Sequence, residues 1–128
     1  MGTQGTLAQT NSVSQPKAFD WGITDERIRQ TVERIVELCN PIQIIAFGSW
    51  ARGEHRPDSD LDIAIILDDA PDAMERRPRY SQLDGIRMSI DMVPVTKEVH
   101  ERFKSSLNSI HRVIATEGVI LYERNGRR

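Results

Sequence analysis

Ile42-Gln43-Ile44-Ile45-Ala46-Phe47-Gly48-Ser49, then ten residues (Trp50 to Ser59), then Asp60-Leu61-Asp62-Ile63-Ala64-Ile65-Ile66-Leu67 is the stretch on which the fold turns. Each apolar run is short and rich in β-branched residues, and each is bounded by residues that end regular structure, Pro41 and Gly48 for the first. That pattern predicts two buried strands, 42–47 and 61–67. The segment between them is polar, and a helical turn is expected at its start. Asp60 and Asp62 open the second strand two positions apart, so the strand period puts both carboxylates on one face.

Working upstream, Thr24 is a good N-cap, with Asp25 and Glu26 in the first turn where the helix dipole favours negative charge. Ile28, Val32, Ile35, Val36 and Cys39 recur at helical spacing, and Asn40-Pro41 stops the helix. Residues 1–17 hold almost no apolar side chain and are expected to form a flexible arm ahead of a single domain over 18–128. Downstream, residues 68–81 run acidic and then basic with two prolines, which reads as a surface loop or frayed helix. A third strand is expected over 87–95. Thr96 then caps a helix through Val99 and Phe103, and a short helix carrying Ile110, Val113 and Ile114 ends near Gly118. Val119 to Tyr122 forms a last strand. The order helix, strand, strand, strand, helix, helix, strand predicts an α+β fold, a small mixed sheet with helices packed on one face.

Composition narrows the function. The 128 residues carry 17 Lys and Arg against 19 Asp and Glu, a net charge of -2 that excludes a dedicated basic DNA-binding module. Aromatic residues are 5% of the chain, too few for a platform that stacks single-stranded bases, and no direct nucleic-acid binding is expected. The single cysteine, Cys39, excludes an internal disulfide and every multi-cysteine zinc pattern. No apolar run approaches the roughly 18 residues of a spanning helix, so no membrane association and a cytoplasmic location are expected. His55, His100 and His111 lack metal-site spacing and read as solvated surface residues. One domain of this size leaves little room to enclose two substrates.

The chemistry concentrates in acidic residues. Asp60 and Asp62 have no adjacent cation, and hard oxygen donors of this kind suit Mg²⁺, with Mn²⁺ as the alternative. Asp91 lies inside the third strand between Ile90 and Met92, where an ionised group needs a metal or a donor. If the second and third strands are neighbours, the three converge, and such a trio suits two metal ions in a phosphoryl or nucleotidyl displacement. Gly48-Ser49, where a strand gives way to a turn, lets backbone N–H groups approach a triphosphate. Each part also has a plainer reading: Asp60 and Asp62 as an Asx-rich turn, Asp91 as a solvent-facing edge residue, Arg52 as a salt-bridge partner of Glu54 or Asp58, Trp50 as core.

Taken together, Gly48-Ser49, the ten-residue spacer, Asp60-Leu61-Asp62 and the in-strand Asp91 resemble the signature of the DNA polymerase β-like nucleotidyltransferase superfamily. The fuller string Gly48-Ser49-Trp50-Ala51-Arg52-Gly53, followed by Pro57-Asp58-Ser59-Asp60-Leu61-Asp62-Ile63, is similar to the minimal nucleotidyltransferases (MNT). So is the close Glu117-Gly118-Val119-Ile120-Leu121-Tyr122-Glu123. The resemblance implies that Gly48, Ser49 and Arg52 bind the nucleotide, while Asp60, Asp62 and Asp91 are catalytic and hold the metals. It also implies AMP transfer from ATP to a tyrosine of a partner HEPN-domain ribonuclease, the antitoxin half of a type VII-like HEPN/MNT toxin–antitoxin pair. A non-catalytic antitoxin acting by occlusion and a small-molecule (aminoglycoside-type) nucleotidyltransferase are the alternatives.

Overall fold

A computed structural model of the chain describes residues 20–125, so the expected arm over 1–17 lies outside the described residues. Helix α1 spans Asp25–Cys39. Thr24 Oγ1 accepts the Arg27 N–H at 3.1 Å at its start, and Asn40, left-handed at φ 47°, donates its N–H to the Val36 carbonyl at its end. The strands follow as β1 (Gln43–Phe47), β2 (Leu61–Leu67), β3 (Ile90–Thr96) and β4 (Val119–Glu123). Between the last two lie α2 (Lys97–Phe103) and α3 (Ile110–Glu117), capped by the Thr96 and Ser109 side chains. Leu107, beyond the end of α2, is exposed.

The sheet order is β3-β2-β1-β4. β1 is antiparallel to both β2 and β4, whereas β2 and β3 are parallel, so the sheet is mixed and the fold α+β. A parallel pair needs a crossover. It is supplied by residues 68–89, which form two single 3-10 turns, Ala73–Arg76 and Tyr80–Leu83, in place of a plain surface loop. Ala73, Leu83, Ile86 and Met88 of this segment are buried in the core. β3 starts three residues later than its apolar alternation predicts, because Gly85 and Arg87 both take positive φ and keep that stretch turned.

The helices do not share one face of the sheet, which corrects that part of the sequence expectation. Ile44 and Ala46 of β1 and Leu61, Ile63, Ile65 and Leu67 of β2 pack with Ile28, Ile35 and Cys39 of α1. The alternate residues, Ile45, Phe47, Ala64, Ile66 and Val95, pack with Ile114 of α3. The strands are apolar on both sides and need cover on both. α2 lies beside α3, where His100 Nδ1 is 3.3 Å from His111 Nδ1. His100 is therefore only 7% exposed, not a surface residue as its sequence context implies.

Candidate active site

β2 delivers Asp62 to the α3 side of the sheet. The strand alternates, and Asp62 shares its side with Ala64 and Ile66, where the apolar cover stops. In the parallel register Asp62 stands opposite Asp91 of β3, and in the antiparallel register opposite Phe47, the last residue of β1. Asp60 precedes it by two residues and is exposed. The strand adjacency required for convergence is therefore present, and β3 is an edge strand on which Asp91 stays accessible to solvent.

The turn leaving β1 closes around the same point. Arg52 N–H donates to the Gly48 carbonyl (3.1 Å), Gly53 N–H to Trp50 (3.0 Å) and Glu54 N–H to Ser49 (2.8 Å), a single helical turn as expected. Gly48 sits at φ +78°, a conformation that L side chains rarely adopt, and a Cβ there would run into Oδ2 of Asp62. Gly48 thus brings bare backbone against the Asp62 carboxylate. Trp50 packs partly buried against the α1-side core, matching its plainer reading.

Burial pushes the Asp62 carboxyl above the usual carboxylate range, and the negative charges of Asp91 and then Asp60 push it further. Arg52 opposes this weakly. Its guanidinium is held elsewhere, with Nε donating to Glu54 at 2.9 Å and Nη1 to Glu117 at the end of α3 at 3.3 Å. The Glu54 bridge was one of its two sequence readings; the Glu117 contact, 65 residues away in the chain, had no sequence signal. The other unforeseen neighbour is Tyr80, whose hydroxyl donates to Asp91 Oδ1 at 3.3 Å and accepts the Met92 N–H at 2.9 Å.

A cation fits this place on two grounds: every donor is a hard oxygen, and the half-buried Asp62 carboxylate, opposed only weakly by Arg52, makes no ion pair among the described residues. Among the described residues, no group of three or more His, Cys, Asp or Glu side chains forms a cage that holds an ion by itself.

A family model described as polymerase beta, nucleotidyltransferase matches residues 30–127. The chain belongs to that family. A Methanocaldococcus jannaschii protein named "putative protein adenylyltransferase" is 33% identical over 82 residues, covering 62% of this chain and 77% of the relative. A crystal structure described as a "putative nucleotidyltransferase" from Sulfolobus solfataricus superposes with a TM-score of 0.51, covering 79% of this chain and 84% of the other. At 18% identity that likeness carries the fold alone. The resemblance to the minimal nucleotidyltransferases therefore stands: the chain is a nucleotidyltransferase of that type. Nucleotidyltransferases of this family generally use ATP and divalent metal ions. No helix among the described residues is long and apolar enough to cross a membrane.

Proposed function

We propose that this nucleotidyltransferase moves AMP from ATP onto a tyrosine hydroxyl of a partner HEPN-domain ribonuclease, and in doing so acts as the antitoxin of a toxin–antitoxin pair. The observation that carries the reading is the register of the parallel pair: Asp62 faces Asp91 across β2 and β3, while Asp62 also lies against the bare backbone of Gly48. Gly48 and the Asp62–Asp91 pair are thereby neighbours, which supports the reading. The M. jannaschii relative, named as a protein adenylyltransferase, supports a protein as the acceptor.

Each residue then has a distinct task. Gly48 and Ser49 present backbone N–H groups and a hydroxyl to the triphosphate. Asp60 and Asp62 would hold Mg²⁺, and Asp91 completes the set from β3. An ion held there would supply charge neutralisation for the phosphates. Asp91, the most solvent-open of the strand carboxylates, accepts the proton of the incoming hydroxyl. Arg52 braces the loop through Glu54 and Glu117 and adds positive potential beside Asp62. The chain supplies the nucleotide half of the reaction, and the acceptor arrives on another protein.

The test uses purified chain, ATP labelled at the α-phosphate, Mg²⁺ and the HEPN protein encoded beside it, recognised by its Arg-x-x-x-x-His motif. Label is expected on a partner tyrosine and is expected to vanish with Asp60→Asn or Asp62→Asn. A partner that stays unlabelled, yet is inhibited equally by wild type and variant, would replace this reading with occlusion. A label that goes only to a small-molecule acceptor would replace it with the aminoglycoside-type reaction.

A further inference from the structure

Tyr80 is the one tyrosine that already meets the carboxylate assigned to the acceptor. The chain holds two tyrosines. Tyr122 lies on β4, across the sheet from β3, and packs partly buried against the core. Tyr80 opens the second 3-10 turn of the crossover and is 56% exposed, yet its hydroxyl is held at two points, on Asp91 Oδ1 and on the Met92 N–H. A phenol fixed this way stands where an incoming acceptor hydroxyl would have to stand to give up its proton to Asp91. Holding nucleophile and base in contact turns a bimolecular encounter into an intramolecular one.

The surroundings of Tyr80 suit an adenylylated side chain. A cleft of about 360 Å³ is lined by Tyr80 together with Arg77, Arg79, Met92 and Pro94, so two arginines share its wall with the tyrosine. On the other flank, a smaller cleft of about 130 Å³ is lined by Leu83, Met88 and Ile90 among others. A new phosphodiester on Tyr80 would carry one negative charge, which the arginines complement. The Arg77 guanidinium donates to the Met74 carbonyl (2.7 Å).

From this geometry we propose that Tyr80 is a site of self-adenylylation. The proposal rests on the reading of Asp60, Asp62 and Asp91 as the nucleotidyl-transfer centre. In the step, Tyr80 Oη forms a bond to the α-phosphorus of ATP, and the bond from that phosphorus to the oxygen bridging to the β-phosphorus breaks. Pyrophosphate leaves with the electron pair, and the phenolic proton passes to Asp91 and then to water. The product is O-adenylyl Tyr80. Because the modified side chain still borders Asp91, it competes with any external tyrosine for that carboxylate.

The experiment incubates the full chain with α-labelled ATP and Mg²⁺ and locates the label by peptide mass mapping. One AMP on the peptide containing Tyr80 is expected, lost in Tyr80→Phe and in Asp62→Asn and retained in Tyr122→Phe. The fraction labelled at a given time should not change on dilution of the protein. Label mapped to another residue of wild type, or a rate that rises with protein concentration, overturns the intramolecular assignment. A parallel thermal-shift measurement uses Mg²⁺ with an ATP analogue that has a methylene between the α- and β-phosphorus. If wild type stays unlabelled while the analogue stabilises it and not Asp62→Asn, self-adenylylation fails and the nucleotide site stands. If the analogue has no effect either, both readings fall together.

Discussion

Leu61, Ile63, Ile65 and Leu67 of β2 point to the α1 side, none more than 2% exposed, whereas Asp62, Ala64 and Ile66 of the same strand point to the α3 side. The first row is continuous and carries stability. The second is apolar only until Asp62, where a carboxylate takes the place of a core side chain. One strand thus separates its two tasks by parity, and a substitution's consequence should depend on which row it strikes. The arrangement has an inherent cost, since an ionised group at the end of an apolar row is disfavoured by burial and by its own neighbours.

The largest effect should come from Asp62→Asn. Transfer of labelled AMP is expected to fall by roughly 10³-fold, the size seen when a preorganised charged group is removed from a transition state. Without metal ion, the melting temperature at neutral pH should instead rise. The sign follows from the raised carboxyl: its charged form is disfavoured in the folded state, so replacing it by a neutral amide removes an unfavourable charge, and wild type should gain stability as pH falls through that group's folded titration. A variant that loses both activity and stability would break the division by parity.

Ile65→Ala, one row over, should do the reverse. Removing a fully buried side chain on the α1 side should lower the unfolding free energy by about 2–5 kcal/mol in chemical denaturation. Transfer per folded molecule should remain close to wild type. Gly48→Ala tests the junction of the two tasks, since the new methyl meets both the positive φ and Asp62. A stability loss of about 1–2 kcal/mol is expected from the backbone alone, with a raised KM for ATP and a lower kcat. A change confined to stability would show that the close approach has no part in binding.

The smallest effect concerns the α3 side away from the carboxylates. Burial, and then the neighbouring His111, hold the His100 imidazole below the usual histidine range. Its neutral form is favoured in the fold, so its contribution is complete above about pH 6.5, the value for an unperturbed histidine, and declines as pH falls below it. Melting temperatures between pH 7.5 and 5 should fall more steeply for wild type than for His100→Asn. Parallel slopes would show that the α2–α3 contact does not sense protonation of His100.

How much of the fold is legible in the sequence follows the reach of each signal. α1 announces itself through Thr24, five apolar residues and Asn40-Pro41, all local, and β2 through the apolar run Ile63 to Leu67, in which Ile63, Ile65 and Ile66 are β-branched. The placement of Asp62 opposite Asp91 was legible because strand period fixes which side chains share a face, and only the adjacency of β2 and β3 had to be supplied; Asp60 lies one residue outside β2 and is exposed. Periodicity does not say which helix covers which face, so the division of α1 and α3 between the two sides was missed. His100 looks solvated beside Glu101 and Arg102, and the packing of α2 against α3 and the sheet buries it. Tyr80 and Glu117 reach their partners through the crossover and the end of α3, contacts that no spacing rule encodes.

Gly48 and Asp62 also shape how such a chain can change over generations. Any residue at position 48 must accept the left-handed backbone and leave room for the carboxylate at 62. Position 48 should therefore keep its glycine even where the surrounding loop, exposed from Arg52 to Asp58, accumulates neutral variation.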